Sequence, residues 1–242
     1  NGAVQVDGMA LEFNIDPAEN PEQFSNNLDL VMKQIMKMVP GYDIYDQCVA
    51  EFGKEYIDMQ PAEASELGCN PDYNAYTGLA NPRPDGAAEF RTAAGHLHIG
   101  WTNGVDPHDP GHFNACRRLV RQLDRYLGVP SLVWDQDQRR RALYGKAGAF
   151  RPTHFGVEYR TSSNACVLNP LNDHFLRKYV VHQAGEAIKE LFANPDKADE
   201  QMMGKSAEQI INEGDKETAR LVLQFGGITS PKAFRENTLK GA

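Results

Sequence analysis

Strands are predicted wherever hydrophobic and polar residues alternate along the chain. Residues 9–15 (MALEFNI), 91–101 (RTAAGHLHIGW) and 155–161 (FGVEYRT) show this alternation, and residues 42–52 are moderately strand-like. Because successive side chains of a strand point to opposite faces, each strand has an apolar face and a polar face. The polar faces carry Glu12 with Asn14, His96 with His98, and Glu158 with Arg160.

Helices are predicted where hydrophobic residues recur at spacings of three and four. Residues 132–145 are ambiguous between a strand end and a short helix, and residues 61–86, rich in Pro, Asn, Gly and Asp, form a long irregular segment. That segment is our candidate for choosing the substrate. The predicted helices run from Pro21 to Pro40-Gly41, from Asp109-Pro110 to Gly128, over about residues 173–193, and over residues 207–225 after a capping-box pattern, Ser206–Gln209.

The order of these elements predicts an α+β fold. Strands and helices alternate irregularly, which favours one largely antiparallel sheet with helices on one face. No repeat or linker divides the chain, so we expect one domain over residues 1–242, with a helical part over residues 168–242. If helices cover the apolar face, the polar side chains of the strands converge on the open face.

Composition narrows the class of ligand. The formal net charge of −8 argues against a nucleic-acid binder, and the basic residues 139–141, followed by Lys146 and Arg151, suit a small anionic ligand. Four scattered cysteines fit a reducing compartment, and no apolar run approaches the length of a membrane span. We therefore expect a cytoplasmic protein. The chain begins at Asn1 without a methionine, and we expect a truncated chain or an upstream segment that has been removed.

The polar faces offer carboxylates, imidazoles and guanidinium groups to one site. Such a set suits a divalent cation such as Mg²⁺ together with an anionic substrate. Neither a phosphate loop of the G-x-x-x-x-G-K-[ST] type nor a G-x-G-x-x-G motif is present, although the glycine-rich run GKAGAF could cradle a phosphate. Each residue also has a plain structural explanation, as part of a solvated sheet face or a surface ion pair.

Several ordered motifs resemble one protein family. VDGMALEFNIDPAEN, ELGCNPDYNAYT, FRTAAGHLHIGW, LDRYLGVPSLVWDQDQRRRALYGKAGAFRP and GVEYRTSSN together resemble the phage-encoded amidoligases of the carboxylate–amine ligase type 2 group, over roughly residues 4–165. Those proteins are similar to glutamine synthetase and glutamate–cysteine ligase in their catalytic core. The resemblance implies a curved antiparallel sheet of glutamine-synthetase type with helices outside. It also implies ATP-dependent amide bond formation through an acyl phosphate, in the cytoplasm of an infected bacterial host.

The resemblance also implies roles for individual residues. The implied substrates are a small-molecule or peptide carboxylate and an amine, the implied cofactors are ATP and Mg²⁺, and relatives of this fold often form homo-oligomers. A further acidic D-P-E-type motif is expected upstream of the V-D-G-x-x-x-E-F stretch, and the sequence does not contain it. The implied site residues are Glu12, His96 and Glu158 for metal, Arg151, Arg160 and Arg91 for phosphate or substrate carboxylate, and His98, Arg140 and Lys146 for the nucleotide.

Two other functions remain open at this point. The H-x-H pair with Glu158 matches the triad that holds Fe or Zn in small double-stranded β-helix enzymes, although such barrels contain few long helices. A non-catalytic phage protein that keeps the fold is the other alternative.

Overall fold

The computed structural model describes residues 3–7, 9–45, 47–61, 72–82, 89–135, 137–168 and 174–240. Much of the segment expected to choose the substrate, residues 62–71 and 83–86, lies outside this description. The strands are β1 (Val4–Asp7), β2 (Ala10–Phe13), β3 (Val49–Glu51), β4 (Tyr73–Asn74), β5 (Phe90–Thr92), β6 (Leu97–Gly100), β7 (Ala149–Thr153) and β8 (Gly156–Tyr159).

The helices alternate irregularly with these strands. None of those in the described ranges is long and apolar enough to cross a membrane. They are α1 (Pro21–Met38), α2 (Lys54–Asp58), α3 (Pro110–Leu123), a π-helical turn (Asp124–Gly128), α4 (Val129–Ser131), α5 (Arg139–Leu143), α6 (Ala165–Leu168), α7 (His174–Ala193), a 3₁₀ turn (Lys197–Asp199), α8 (Ala207–Glu213), α9 (Lys216–Phe225) and α10 (Pro231–Lys240).

The main sheet has four antiparallel strands in the order β4-β7-β8-β6. Strands β1 and β2 form a separate hairpin, and β3 pairs with β5 in a second two-stranded sheet. Helix α3 packs on β7 and β8, and α7 packs on α3. The architecture confirms the α+β class and the antiparallel pairing, but the prediction of one sheet is wrong, because the strands of the described residues form three separate sheets.

The principal core lies between the sheet and α3. Phe150, Val157 and Tyr159 are wholly buried on the helix-facing side of β7 and β8, where they meet Leu119 and Leu123 of α3. Because side chains alternate along a strand, the residues between them face away from the helices. One face of the sheet is therefore apolar and covered, as the alternation predicts.

The prediction of one continuous strand over residues 91–101 is wrong. Residues Phe90–Thr92 pair with β3, whereas Leu97–Gly100 pair with β8 in the main sheet. The chain changes sheets near Gly95, where a Cβ would lie 2.7 Å from the carbonyl oxygen of Ser163 and 2.6 Å from the sulfur of Cys166. This close approach requires glycine and ends the strand pairing.

Two other predictions of local structure are settled by the described residues. The moderately strand-like residues 42–52 contain only the short strand Val49–Glu51, and the ambiguous residues 132–145 contain the short helix Arg139–Leu143. In the C-terminal part, the helix over His174–Ala193 and the capping box of Ser206 with Gln209 are confirmed.

The single helix predicted over residues 207–225 is wrong, because Gly214 divides it. Gly214 adopts a left-handed conformation with φ 63° and ends α8, and the Asp215 side chain then caps α9 by accepting from the Thr218 N–H. A further helix, Pro231–Lys240, follows where the sequence pattern predicted none.

The helix that begins at Asp109 does not stop at Gly128 as predicted. Asp109 caps it by accepting from the His112 N–H, and the helical path continues through the π-helical turn to Ser131. Gly128 has a helical backbone conformation, with φ −61°, so its dihedral angles do not require glycine. Glycine is required because a side chain would not fit. A Cβ there would lie 2.6 Å from Ile211 Cδ1 and 2.9 Å from the Tyr159 hydroxyl.

Gly128→Ala is expected to lower the free energy of unfolding by about 1–3 kcal/mol, because the added methyl group overpacks this contact. Gly185→Ala is the matched control, since Gly185 lies within α7 and a Cβ there meets nothing within 4 Å. That control is expected to raise stability by about 0.5–1 kcal/mol through helix propensity. Urea unfolding of both variants checks the pair, and equal effects would contradict the packing explanation.

Candidate active site

Three polar residues lie side by side across the open face of the main sheet. His98 of β6 pairs with Glu158 of β8, and Glu158 pairs with Arg151 of β7. His96 and Arg160 lie two residues before His98 and two residues after Glu158, so they continue the same face. The structure thus brings together five of the nine residues expected to form the site.

Glu158 is the centre of this group. Its carboxylate is buried, with Oε1 bound by Arg160 and 2.8 Å from His96 Nδ1, and with Oε2 accepting from Arg151 at 3.2 Å. Two guanidinium groups and one imidazole therefore share one carboxylate. We call Arg151, Glu158, Arg160 and His96 the Glu158 cluster.

The pKa values indicate which members of the cluster carry charge. Burial would raise the pKa of Glu158, but the His96 hydrogen bond and the nearby Arg151 charge lower it below its usual value overall. Burial lowers the pKa of His96, and the Arg160 charge acts in the same direction. At neutral pH we therefore expect an ionised Glu158 beside a neutral imidazole.

A neutral His96 leaves one ring nitrogen available. Its Nδ1 hydrogen is assigned to the bond with Glu158, and its buried Nε2 has no hydrogen-bond partner among the described residues. A carboxylate that holds Nδ1–H directs the Nε2 lone pair outward, which is the usual arrangement of a metal-binding histidine.

Glu12 approaches the site from the β1–β2 hairpin rather than from the main sheet. Desolvation lowers the pKa of His98, and the carboxylates of Glu158 and Glu12 oppose that shift, so Glu12 lies within electrostatic range of His98. Its Oε2 accepts from Gln5 Nε2 at 2.9 Å. In the described part of the chain, no three His, Cys, Asp or Glu residues lie close enough to hold a metal ion. Glu12, His96 and Glu158 thus do not form a three-ligand cluster.

Arg140 was expected to bind the nucleotide, but its side chain binds the protein backbone. It is wholly buried, and its guanidinium donates to four backbone carbonyl oxygens, those of Ala93, Arg160, Thr161 and Ser162. These bonds join the segment before His96 to the segment after β8. Arg140 therefore stabilises the backbone on either side of the cluster residues, and we do not include it in the proposed nucleotide site.

The two remaining expected residues lie outside the Glu158 cluster. Arg91 is buried in β5, where its guanidinium donates to the Phe90 carbonyl oxygen and burial lowers its pKa. Lys146 has an exposed side chain in the turn before β7, and its carbonyl oxygen lies 3.1 Å from the Thr161 hydroxyl oxygen. Their predicted roles stay predictions.

Two residues at the cluster were not among the expected site residues, although both lie within the motifs that carry the family resemblance. Asp72, just before β4, places Oδ2 3.5 Å from Arg160 Nε. Tyr144, just after α5, lays its ring 5.0 Å from the Arg160 guanidinium and 6.1 Å from the His96 ring. Arg160 is thus held by two carboxylates and one aromatic face, each from a different segment.

A buried aspartate lies on the opposite side of β8. Asp124, in the π-helical turn, is wholly buried; the hydroxyls of Tyr159 and Thr161 donate to Oδ1, and the hydroxyl of Tyr76 and the N–H of Gly148 donate to Oδ2. Burial raises the pKa of Asp124 to about 6, although these four hydrogen bonds favour the charged form.

The raised pKa of Asp124 predicts a pH dependence of stability. Between its ordinary pKa of 3.8 and about 6, the folded state binds more protons at Asp124 than the unfolded state. Its contribution to stability is therefore full below about pH 4 and is lost as the pH rises through 6, by about 3 kcal/mol at roughly 1.4 kcal/mol per pKa unit. The difference in unfolding free energy between wild type and Asp124→Asn, measured from pH 4 to 8, should follow this course. A difference that does not change with pH would contradict it.

A family model, phage phiEco32-like COOH.NH2 ligase-type 2, matches residues 88–218, which is more than half of the chain. The chain belongs to this family. The match covers the whole Glu158 cluster, and the expected resemblance is confirmed. No curated protein and no solved structure matches the chain. The family is one of carboxylate–amine ligases, so the Glu158 cluster is the candidate active site of a ligase.

Proposed function

We propose that the protein is an ATP- and Mg²⁺-dependent ligase that joins a carboxylate to an amine through an acyl phosphate. The observation that carries the proposal is the Glu158 cluster on the sheet face that points away from α3, inside the region that matches a ligase family. Arginines beside a buried carboxylate suit a reaction in which negative charge is transferred between phosphate and carboxylate oxygens.

The proposed reaction has two steps. An oxygen of the substrate carboxylate attacks the γ-phosphorus of ATP, and the bond to the β-phosphate oxygen breaks to release ADP. The amine nitrogen then attacks the acyl carbon, the carbon–oxygen bond to phosphate breaks, and the nitrogen loses a proton. Arg151 and Arg160 would donate to the phosphoryl oxygens and stabilise the charge that develops on them.

The donor set fits Mg²⁺. This ion is usually held by one or two carboxylates together with substrate phosphates and water, so it does not require a three-residue protein cluster. The charges of Glu158 and Glu12 both act on the pKa of His98, and His96 Nε2 is an available donor. Bound Mg²⁺ would supply neutralisation of phosphate charge. Glu158 orients His96, Arg151 and Arg160 through its contacts with them.

The glutamine-synthetase-type fold is part of the same proposal. It is supported by an antiparallel sheet with helices on one face and polar residues on the other. The substrates would be a small-molecule or peptide carboxylate and an amine.

The alternative metal triad receives less support. Two histidines and one carboxylate would have to converge on one Fe or Zn ion, and no such group of three occurs among the residues that the structure describes. We therefore favour the ligase.

Thermal unfolding with and without Mg·ATP tests the proposal. At about 100 times its dissociation constant, the ligand should add about 2.7 kcal/mol of stability, or roughly 5–10 °C in Tm. His96→Ala should lose this shift, and His108→Ala, an exposed histidine outside the cluster, should keep it. The absence of a shift in the wild type at millimolar Mg·ATP would contradict nucleotide binding.

A further inference from the structure

The segments that carry the Glu158 cluster share one buried attachment point. Tyr159 lies between Glu158 and Arg160 in the chain, and its hydroxyl donates to Asp124 Oδ1 at 2.8 Å. Thr161 directly follows Arg160, and its hydroxyl is 3.2 Å from the same oxygen. The strand that carries both cluster residues is therefore held to Asp124 from its covered side.

The other oxygen of Asp124 holds two further segments. The Gly148 N–H donates to Oδ2 at 2.6 Å, three residues before Arg151 in the chain. The Tyr76 hydroxyl donates to Oδ2 at 3.0 Å, four residues after Asp72. The segments that bring Arg151 and Asp72 to the site thus meet the β8 segment at one carboxylate.

The helix is shaped to place this carboxylate. Asp124 begins the π-helical turn, and the chain beside it at Gly128 leaves no room for a Cβ, which would lie 3.1 Å from Asp124 Oδ1 and 2.9 Å from the Tyr159 hydroxyl. π-Helical turns are rare and often occur at functional sites. The irregular helix and the missing side chain both accommodate the contact between Asp124 and Tyr159.

We propose that Asp124 is a positioning residue for the active site, which fixes Glu158, Arg160 and Arg151 relative to one another through Tyr159, Thr161 and Gly148. The inference rests on the proposed ligase function for its catalytic consequence. Asp124 is wholly buried on the covered side of the sheet, so it acts only through the strand and turn that it holds. Arg140 holds residues 160–162 from their carbonyl groups, so a buried anion and a buried cation both fix this segment.

Asp124→Asn is the variant that tests this role. An asparagine has the same shape but no charge, and its amide nitrogen is a donor, so the two groups that donate to one of the Asp124 oxygens would lose their acceptor. Asp135→Asn is the matched control, because Asp135 is also buried and bound by Arg141 and Cys48, but its recorded hydrogen bonds in the described residues include none to β7 or β8.

The first readout does not depend on activity. The ¹⁵N signals of the His96 ring, assigned with His96→Gln, report the hydrogen bond between Nδ1 and Glu158 in the ligand-free protein. We expect these signals to move in Asp124→Asn and to stay in place in Asp135→Asn. Unchanged signals in Asp124→Asn, or equal changes in both variants, would overturn the proposal.

The second readout is the dissociation constant of Mg·ATP, measured by calorimetry. If the wild type binds, Asp124→Asn should bind about 10- to 100-fold more weakly, since small displacements of binding groups have effects of this size. Wild-type affinity in that variant would overturn the positioning role and leave the ligase proposal intact. If the wild type itself binds no Mg·ATP, the ligase proposal fails, and the His96 signals alone decide the role of Asp124.

A second pair of variants serves if Asp124→Asn does not fold. Tyr159→Phe removes one hydroxyl that donates to Asp124 at 2.8 Å, and Tyr179→Phe removes one hydroxyl that donates to the Thr229 carbonyl oxygen at 2.8 Å. Both tyrosines are wholly buried. Only Tyr159→Phe should move the His96 signals, and an unmoved spectrum in that variant would overturn the proposal.

Discussion

Replacing Glu158 with glutamine is expected to lower kcat/KM for ADP and phosphate release by at least about 10²–10³-fold, which is the usual effect of removing one group that stabilises charge at a reacting centre. Glutamine has the shape of glutamate but lacks its charge. Its amide nitrogen would face either Arg151 or the pair formed by His96 and Arg160, all of which are donors in the native cluster. The guanidinium group that faces the amide nitrogen would lose its acceptor, and both guanidinium groups would lose the neutralising charge.

The measurement is release of ADP and phosphate that depends on both a carboxylate and an amine, with a panel of amino acids and amines as substrates. Glu51→Gln is the control, because Glu51 also pairs with an arginine, Arg139, but lies exposed in the β3–β5 sheet. It should retain wild-type turnover. Wild-type turnover in Glu158→Gln would remove the Glu158 cluster from the mechanism.

Arg140→Lys is expected to lower the free energy of unfolding by about 3–5 kcal/mol, because several hydrogen bonds from a charged group are lost and each contributes about 1.5–3 kcal/mol. The Arg140 guanidinium spans four carbonyl oxygens, and the single ammonium group of lysine cannot reach all of them. Each buried carbonyl group that loses its donor adds a desolvation penalty of about 1–3 kcal/mol.

Arg139→Lys provides the control for this prediction. Arg139 is the preceding residue, its side chain is half exposed, and it pairs with Asp137 and Glu51 at the surface. The substitution should change stability by no more than about 0.5 kcal/mol. Urea unfolding of the two variants compares them directly. An Arg140→Lys protein as stable as the wild type but unable to bind Mg·ATP would instead support the nucleotide role expected from the sequence.

The local patterns of the sequence were sufficient to predict the face of the strand on which each side chain lies. Alternation places His98 and Glu158 on the polar face and Val157 and Tyr159 on the covered face, because the period of a strand is two. Capping residues such as Asp109 and Ser206 identify helix starts through a hydrogen bond only three residues long. These features depend on neighbours in the chain, so they can be read from the chain.

Interruptions of the elements were harder to predict, because distant residues cause them. The predicted strand over residues 91–101 divides at Gly95, where Ser163 and Cys166 approach. The helix continues through Gly128 because Ile211 and Tyr159 occupy the space of a side chain. A glycine that usually ends an element is chosen here for close packing.

The sequence by itself determined the α+β class, the family resemblance and the polar face with its histidines, glutamate and arginines. Tertiary structure alone decided which neighbouring arginine is exposed and which is buried, since Arg139 and Arg140 look equivalent in the sequence but meet carboxylates and backbone carbonyls respectively. It also brought Asp72 and Tyr144 to Arg160, and Asp124 beneath β8. The physical reason is that periodicity encodes where a side chain points within its own element, whereas its partners come from the pairing and packing of distant segments.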